Sequence, residues 1–536
     1  MEVTGMAKYT EEQLNTCSKE MLVTLLLSMQ DQMEQLTRNF EKLSEQLAVM
    51  NSHRYGRSSE KLSVIDGQLS LELIFNEAEA VMETLYVPEP EEDQVFPKKK
   101  RTAGKREADL KNLPEEVISH TIPEEKLTEI FGAGGWKQLP DEVYRRVRVQ
   151  PAVYTVEVHH VAVYAGKDNQ TIIKADRPKS LLRNSIVTPS LGASIMHAKY
   201  TNGLPLYRIS QEFQRNEIHI SRQVMANWMI QLADRYLGIV YDRLHEQLLQ
   251  YHVLQADETP VQVSKDGRPA GSNSYMWVYR TGKYYKDTSV ILYDYQRTRS
   301  SEHPERFLKG FAGLLVTDAH SAYGKLDREK EDLSFSACWA HARRRFSEAV
   351  KALPTEKKAA LSDTIAHQAL TRIAAIYHLD NELSDLTPDE RKKRRQITVK
   401  PLVEAYFAWL KSIRPEDISS AKTKSGVSYS LNHEKALCIF LEDGEVPLDN
   451  NATEGALRSF CLHKHTWKLI DTIDGARSSA IIYSIIETAK ANHLNPFRYL
   501  EFLLETLKEH QEDTDRSFID ELLPWSETLP EICRVK

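Results

Sequence analysis

The stretch HVLQADETPVQV, residues 252–263, decides the fold. Its β-branched residues and their alternation predict a strand, and the apolar run VLQA ends at Asp257. The stretch GLLVTDAHSAYG, residues 313–324, has the same form, with an apolar run that ends at Asp318. Each Asp taken singly is typical of a strand-end turn, so the order of the strands decides whether the two carboxylates meet.

The residues around these two stretches supply that order. SYMWVYRTG (274–282) and TSVILYDYQRT (288–298) predict two more strands, PERFLKGF (304–311) a helical piece, and LSFSACWAH (333–341) a fifth strand. Three hairpin-connected strands, a helix and a further strand are the order of the ribonuclease-H-like fold. In that fold the first and fourth strands are neighbours, so we expect Asp257 and Asp318 at the same edge of the sheet.

A third carboxylate, Glu454, lies in LDNNATEGALRSF, residues 448–460. One interpretation is local, with Asn451 as the N-cap of a helix and Glu454 completing a capping-box-like pattern. The other is that Glu454 joins Asp257 and Asp318. Two acids held close together repel unless a cation lies between them, and hard divalent cations favour oxygen ligands. We therefore predict that all three acids are catalytic and bind two Mg²⁺ ions about 4 Å apart, which Mn²⁺ can replace.

Four other residues bear on this site. Strand alternation sends Glu258 to the opposite face from Asp257. Asp294 lies inside the third strand, and Asp449 replaces Glu454 if the helix starts later. Arg458, one turn beyond Glu454, can orient it or meet a phosphate, and a plain salt bridge fits equally well.

The segment CWAHARRRF, residues 338–346, combines a Cys/His pair with three arginines. A structural zinc needs four ligands, and no second Cys/His pair lies at ligand spacing nearby. We therefore interpret Cys338 and His341 as a structural pair, a buried strand Cys and a His at a helix start, and expect no zinc. Arg343, Arg344 and Arg345 are placed for contacts with DNA phosphates.

Residues 189–237 have helical patterns. PSLGASIMHAKY and LPLYRISQEFQRN are two helices, and Ser221 caps a third that begins RQVMANW. The last two of these short helices and the tight turn between them match helix-turn-helix spacing. Arg222, Gln223 and Asn227 lie at the exposed start of the second helix of this pair, the one that Ser221 caps. A helix pair within a core is the alternative.

The N-terminal part has a heptad pattern over four heptads. Its apolar positions are Leu22, Leu26, Met29, Met33, Leu36, Phe40, Leu43, Leu47 and Met50. A coiled coil that pairs protomers is favoured over a single amphipathic helix. Residues 85–110, with Pro, acidic and basic runs, predict a linker, and residues 144–166 predict a small β-rich unit.

Composition places the chain among globular proteins. Of 536 residues, 41% are apolar and 27% are charged, which excludes a disordered chain. The apolar stretches fall short of the about 20 residues that span a bilayer, and we see no secretion signal. Five scattered cysteines suit a reducing compartment, so we expect a cytoplasmic protein. The net charge of −7 masks basic clusters at 98–106, 343–345 and 391–395.

With these residues in hand, the chain strongly resembles the IS66 family of bacterial insertion-sequence transposases over nearly its whole length. The motifs in order are RYGRSSEK (54–61), LPLYRISQEF (204–213), ADETPVQV (256–263), TDAHSAYG (317–324), CWAHARRRF (338–346), DNNATEGALRSF (449–460) and LLPW (522–525). The resemblance implies that Asp257, Asp318 and Glu454 form the acidic triad, with a helical insertion between the last two. It also implies a structural C-x-x-H motif at Cys338 and His341 and a nucleoid-associated bacterial protein.

One departure from the family concerns zinc. Family members commonly carry a zinc-binding module with paired cysteines between the coiled coil and the helix-turn-helix. Residues 111–180 contain no cysteine, and VAVYAGKD stands where a pair is expected. We infer a zinc-free, degenerate version of the module.

The expected fold class is multidomain α+β, with a ribonuclease-H-like α/β catalytic core. The expected divisions are a coiled coil (10–60), a linker (61–110), the β-rich module (111–180), the helix-turn-helix (181–245), the first part of the core (246–346), a helical insertion (347–445), the last part of the core (446–512) and a C-terminal tail (513–536).

The predicted function is that of a DNA transposase. It would cut DNA at the ends of its insertion sequence in a metal-dependent reaction and join the exposed 3′ ends to target DNA. The expected partners are the terminal repeats, the target duplex and a second copy of the chain. The resemblance adds small accessory proteins from the same element. A structure-selective nuclease and a dimeric DNA-binding regulator remain as alternatives.

Overall fold

The computed structural model describes residues 154–165, 172–176, 178–269, 271–319, 332–352, 364–418 and 420–535, together with Glu125, Glu129 and Tyr323. These residues divide between two compact units, one of which contains residues 180–535. The predicted coiled coil and linker lie outside the described residues.

The smaller unit contains a two-stranded antiparallel sheet. Strand β1 (Val163–Ala165) pairs with strand β2 (Ile172–Lys174), and Val163 lies opposite Lys174. The backbone N–H of Ala175 extends the ladder to the carbonyl of Ala162 at 2.9 Å. This hairpin falls within the sequence range for which a β-rich module is predicted.

The larger unit begins with four helices. They are α1 (Pro189–Tyr200), α2 (Leu206–Arg215), α3 (Arg222–Leu232) and, after a π-helical turn at Ala233–Leu237, α4 (Gly238–Leu248). Two side chains cap them: Thr188 accepts from the N–H of Leu191, and Ser221 from that of Val224. The three helices predicted in this segment, and the Ser221 cap, are confirmed.

These helices pack on the C-terminal part of the same unit. The Tyr200 hydroxyl lies 3.1 Å from the hydroxyl of Ser479, and its ring meets that of Tyr483 edge-on at 4.9 Å. The Tyr236 hydroxyl donates to the carbonyl of Leu181 at 2.6 Å. The helix pair is therefore built into the body that holds the sheet.

A mixed sheet forms the centre of the larger unit. Its main strands are β3 (Val253–Lys265), β4 (Asn273–Thr281), β5 (Ile291–Gln296), β6 (Gly313–Thr317) and β7 (Leu333–Ala337), with helix α5 (Glu302–Phe307) between β5 and β6. The strand order is β5-β4-β3-β6-β7. Strands β3, β4 and β5 are antiparallel neighbours, whereas β6 runs parallel to β3 and to β7. The predicted adjacency of the first and fourth strands is confirmed.

Helices follow the sheet. They are α6 (Trp339–Lys351), α7 (Ile365–Asn381), α8 (Pro388–Arg394), a π-helical turn (Arg395–Val399), α9 (Lys400–Ser412), α10 (Ala421–Asn432) and α11 (Glu434–Glu442). The predicted fifth strand is shorter than expected, because the chain turns helical at Trp339. Cys338 therefore precedes α6 and does not lie in the strand.

Two arginines of the basic cluster 391–395 are structural. Arg395 is fully buried, pairs with Asp380 at 2.6 Å and donates to the carbonyls of Phe440 and Val446. Arg391 is also buried and donates to the carbonyl of Gly444 at 2.6 Å. A buried guanidinium needs such acceptors, so these two side chains tie the inserted helices to the loop before Asp449 and are not part of a basic surface.

The last elements return to the sheet. They are α12 (Asn451–Trp467), strand β8 (Ile470–Thr472), which pairs with β3, and helices α13 (Ile473–Ala491) and α14 (Pro496–Glu509). Two short 3₁₀ helices follow, at Ser517–Leu522 and Glu531–Cys533. In α13, Ser484 and Thr488 accept from the N–H groups of Tyr293 and Ile291 in the edge strand β5. Across the described residues, we find no helix with the length and apolarity of a membrane span.

Candidate active site

Asp257 and Asp318 lie on neighbouring parallel strands. The ladder between β3 and β6 pairs Val253 with Leu314 and Gln255 with Val316. Two residues further along the chain are Asp257, inside β3, and Asp318, the first residue after β6. Parallel strands in register present equivalent side chains on the same face, so this register brings the two residues close together.

The pKa of Asp257 reflects the closeness of the neighbouring carboxylates. Enclosure by the surrounding protein raises the pKa of Asp257 well above its usual range, and the carboxylates of Glu258, Asp318 and Glu454 raise it further. One of its oxygens accepts a hydrogen bond from the N–H of Glu258 at 2.8 Å. The carboxyl groups of Glu258, Asp318 and Glu454 therefore lie close enough to Asp257 to interact with it electrostatically.

Glu258 belongs to this cluster, although alternation alone separates it from Asp257. Its side chain is 1% exposed and accepts from Arg299 Nε at 2.6 Å and from the Tyr323 hydroxyl at 2.9 Å. Arg299 also lies 4.0 Å from Asp318 Oδ2. Burial and the Asp318 carboxylate raise the pKa of Glu258, and Arg299 opposes that rise. Alternation does place Glu258 on the opposite face of β3 from Asp257, since Glu258 pairs with Trp277 and Asp257 with Val278, and Arg299 connects Glu258 to Asp318.

Asn450 places helix α12 against β3. Its side chain donates to the carbonyl of Ala256 at 2.9 Å and accepts from Gln255 at 3.1 Å and from the hydroxyl of Thr453 at 2.7 Å. The residue is fully buried. These bonds fix the start of the helix one turn before Glu454, and the sequence reasoning did not identify Asn450.

The Glu454 carboxylate is not a helix cap. The helix starts at Asn451 with Asn450 as its N-cap, so the predicted capping pair of Asn451 and Glu454 is wrong. Glu454 Oε2 accepts from Arg344 at 3.0 Å, and its side chain is 6% exposed. The buried Oε1 accepts no hydrogen bond from any described residue. Burial raises the pKa of Glu454, and the Arg344 guanidinium opposes that rise.

Asp449, one of the alternatives to Glu454 as the third acid, accepts hydrogen bonds at the start of α12. Its two carboxylate oxygens accept from the backbone N–H and the side-chain amide of Asn451, at 3.2 and 3.1 Å. A backbone N–H in the first turn of a helix has no partner within the helix, so Asp449 satisfies one of these groups.

Asp294, the other alternative, lies on the opposite face of the sheet from Asp257. Asp257 pairs with Val278 and Asp294 with Trp277, which in turn lies opposite Glu258. Burial raises the pKa of Asp294 to about 6, and Gln296 donates to its carboxylate at 2.8 Å.

The Cys338/His341 pair connects α6 to α12. The buried thiol of Cys338 accepts from the N–H of Asn450 at 3.1 Å, and burial raises its pKa well above the usual range. His341 Nε2 lies 3.8 Å from Glu454 Oε1. Burial, with help from Arg344, lowers the pKa of His341 to about 4, so the imidazole is neutral at neutral pH.

The three arginines of α6 differ in position. Arg343 is 4% exposed and faces the ring of Tyr377, which corrects its assignment as a DNA contact, since a buried guanidinium cannot reach a phosphate. Arg344 is 41% exposed and pairs with Glu454. Arg345 lies over the ring of Tyr429 at 4.0 Å.

Tyr429, from the inserted helix α10, reaches the site itself. Its hydroxyl donates to the backbone carbonyl of Asp318 at 3.3 Å. No sequence signal marked this residue, since the contact joins positions 111 residues apart. Arg458 is half-buried one turn after Glu454.

The candidate DNA-contacting residues of the helix-turn-helix lie at the surface. Arg222, Gln223 and Asn227 are exposed in the first turns of α3, while Met225 and Trp228 on the other face of the helix are buried. The helix therefore presents one polar face to solvent at its N-terminal end, the geometry that major-groove reading requires.

The acidic cluster suits a hard divalent cation in its chemistry. Carboxylate oxygens are the ligands such cations prefer. Glu454 Oε1 accepts no hydrogen bond from a described residue and can serve as such a ligand. Among the described residues, however, no three His, Cys, Asp or Glu side chains converge closely enough to hold a metal ion. The residues present still fit a hard divalent cation by the chemistry of their oxygen atoms.

Comparison with known proteins gives the family. The model of the Transposase IS66 family matches residues 184–478, more than half of the chain, and that of the IS66 C-terminal element matches residues 484–525. A third model, described as Transposase C of IS166 homeodomain, matches residues 42–118 and overlaps the predicted coiled coil and linker.

Three similar proteins come from Sinorhizobium fredii strain NGR234, and all three are named as uncharacterized. Protein y4qI is 27% identical over 90% of this chain and 88% of its own length. Protein y4jD is 25% identical over 92% and 96%, and y4hP is 25% identical over 77% and 76%. Since the family model covers more than half of the sequence and both Asp257 and Glu454, the chain belongs to the Transposase IS66 family.

Proposed function

We propose that this protein is an active DNA transposase that cuts at the ends of its insertion sequence and joins those ends to target DNA. The observation that carries the proposal is the position of Asp257 and Asp318, two residues beyond the last ladder pair of neighbouring parallel strands, with Glu454 on the helix that Asn450 holds against β3. Three antiparallel strands, a helix and two parallel strands support a ribonuclease-H-like core.

Asp257, Asp318 and Glu454 are the residues that would hold divalent cations, and Mg²⁺ is the ion we expect. When bound, such ions activate an attacking oxygen and stabilise the leaving oxygen in phosphoryl transfer. Glu258 is engaged by Arg299 and Tyr323 and would keep the middle of β3 rigid. Tyr429 would hold the backbone of Asp318 from the other side.

The reaction would proceed in two displacement steps at phosphorus, and neither step forms a covalent bond to the protein. In the first step a water oxygen bonds to phosphorus, the bond to the 3′ oxygen breaks, and that oxygen takes up a proton. In the second step the 3′ hydroxyl oxygen bonds to a phosphorus of the target strand and displaces another 3′ oxygen. Arg344, exposed beside Glu454, is placed to contact the phosphate chain at the site.

DNA binding would use two surfaces of the larger unit, one on helix α3 and one beside the acidic residues. Arg222, Gln223 and Asn227 are proposed to read base edges, while Arg344 and Arg458 contact phosphates near the acids. The family match at residues 42–118 carries a homeodomain description, which supports a further DNA-binding segment there. A dimer through the predicted coiled coil would bring two element ends together.

The test is a cleavage and joining assay with a labelled duplex that carries the element's own end, Mg²⁺ and any accessory proteins of the element. We expect Mg²⁺-dependent nicking and strand transfer by the wild type, and neither by Asp257→Asn. The exposed Asp234→Asn variant serves as the matched control, because it removes the same charge from the surface of the same unit.

Two results would contradict the proposal. Cutting without joining would favour the structure-selective nuclease. DNA binding without cutting, in both wild type and Asp257→Asn and with all accessory proteins present, would favour the DNA-binding regulator.

A further inference from the structure

Arg344 joins the buried acidic cluster to the surface. Its guanidinium donates to Glu454 Oε2 at 3.0 Å. The Glu454 side chain is 6% exposed and that of Arg344 is 41% exposed, so one partner is enclosed and the other reaches solvent. The pair links α6 to α12 across 110 residues of sequence.

This ion pair competes with the arrangement that the proposed reaction needs. Glu454 Oε2 is engaged by Arg344, and Oε1 faces His341 Nε2 at 3.8 Å. In the described part of the chain, the acids do not converge closely enough to share a metal ion. While Arg344 holds Oε2, Glu454 can offer only Oε1 to an ion, and release of this contact would free the whole carboxylate to turn towards Asp257 and Asp318.

A DNA phosphate is a suitable new partner for Arg344. The planar guanidinium binds phosphate oxygens in pairs, as it binds a carboxylate. DNA at the sheet edge would bring phosphates to the exposed side of Arg344, while the released carboxylate would add its negative charge to the site of the two Asp residues. Each ligand would then remove an obstacle to the other.

We propose that Arg344 exchanges partners, from Glu454 in the DNA-free protein to a DNA phosphate in the complex, so that DNA and divalent metal ions strengthen each other's binding. This inference rests on the proposed function, in which the three acids hold the metal. Because coupling between two ligands is reciprocal, the factor by which DNA tightens metal binding equals the factor by which metal tightens DNA binding.

The experiment measures Mn²⁺ binding to the full chain by electron paramagnetic resonance, with and without a short DNA duplex, after subtraction of Mn²⁺ bound to DNA alone. For the wild type we expect DNA to tighten Mn²⁺ binding about tenfold. Arg344→Ala should bind Mn²⁺ more tightly than the wild type without DNA and gain little when DNA is added. Arg344→Lys, which keeps the charge without the fork, should retain part of the coupling.

Lys422→Gln is the matched control. Lys422 lies on α10, is 43% exposed and pairs with Glu348 of α6 at 2.5 Å. The substitution therefore removes another cation that contacts α6 and leaves Glu454 unchanged. This variant should keep the coupling of the wild type. Thermal unfolding by circular dichroism checks that each variant folds, and Arg344→Lys replaces Arg344→Ala if the latter does not.

Two outcomes would overturn the exchange. Equal tightening by DNA in the wild type and Arg344→Ala would show that another group couples the ligands, and weaker Mn²⁺ binding by DNA-free Arg344→Ala would show that Arg344 only positions Glu454. A different result identifies failure of the proposed function itself: Asp257→Asn would bind Mn²⁺ as tightly as the wild type, since the ion would then lie elsewhere.

Discussion

Asp257 and Asp318 lie at equivalent positions of two parallel strands, each two residues beyond the pairing of Gln255 with Val316. This placement brings two carboxylates together, and the carboxylates of Glu258 and Glu454 also raise the pKa of Asp257. Clustered like charges are costly in a folded protein, and such costs are typical of sites that bind cations.

Asp257→Asn is expected to stabilise the metal-free protein. The pKa of Asp257 is raised in the folded state, so ionising this group costs folding free energy once the pH exceeds its unfolded value. We expect the variant to raise the free energy of unfolding by about 1–2 kcal/mol at neutral pH. The gain should shrink as the pH falls towards about 4, where the carboxyl is protonated in both states.

Urea unfolding in the presence of a chelator, at several pH values, measures this effect. Asp234→Asn, at an exposed position, should leave the stability nearly unchanged at every pH. A loss of stability in Asp257→Asn at neutral pH would show that the carboxylate has a stabilising partner.

Glu454→Gln should affect cleavage, whereas Asp449→Ala should affect stability. Glu454→Gln should abolish cleavage while DNA binding stays nearly intact, because Glu454 makes no capping hydrogen bond at the start of α12. Asp449→Ala should lower stability by about 1 kcal/mol, because Asn451 loses its acceptor. Cleavage, filter binding and thermal unfolding of both variants test this, and cleavage by Glu454→Gln would make Asp449 the better third acid.

Asn450→Ala should damage both the fold and the site. The buried amide joins Ala256, Gln255 and Thr453, and its loss leaves these polar groups unsatisfied. We expect a loss of about 2–3 kcal/mol in the free energy of unfolding. Asn381→Ala, at an exposed position near the end of α7, is the control and should change stability little. A loss no larger than the control's would mean that Asn450 does not hold α12 in place.

Arg222→Ala should weaken binding to the element's end by about 1–3 kcal/mol if Arg222 contacts a base. Binding to a scrambled duplex should change less, since a base contact carries sequence information. Arg215→Ala is the control, because Arg215 is exposed on α2 and already pairs with Glu212. Fluorescence anisotropy with both duplexes measures the difference, and unchanged affinity for the end would reduce the helix pair to a structural role.

Zinc analysis tests the reading of residues 111–180. The segment contains no cysteine, so the purified full chain should contain far less than one zinc per chain. Atomic absorption after dialysis against a chelator measures this, with the Cys338→Ser variant as a comparison. Stoichiometric zinc in the wild type would show that the module, or the Cys338/His341 pair, still binds metal.

Periodicity alone located most elements of the larger unit. The strands that carry Asp257 and Asp318, the helices of residues 189–232 and the helix that carries Glu454 all follow from local pattern, because the backbone geometry of a strand or helix sets its side-chain period. The coiled-coil prediction concerns residues outside the described part of the chain and stays a prediction.

What the sequence by itself determined was therefore which acids follow an apolar strand run or lie in the first turn of a helix, and which family the motifs resemble. Strand β3, however, continues past Asp257 to Lys265. Only the tertiary structure decided which acid caps α12, that Arg344 reaches Glu454, and that Arg343 and Arg395 are buried. A side chain's partner in space depends on how distant elements pack, and packing is a property of the whole fold. For Glu454 the local pattern allowed two roles, and in the structure its carboxylate pairs with Arg344 and makes no capping hydrogen bond at the start of α12.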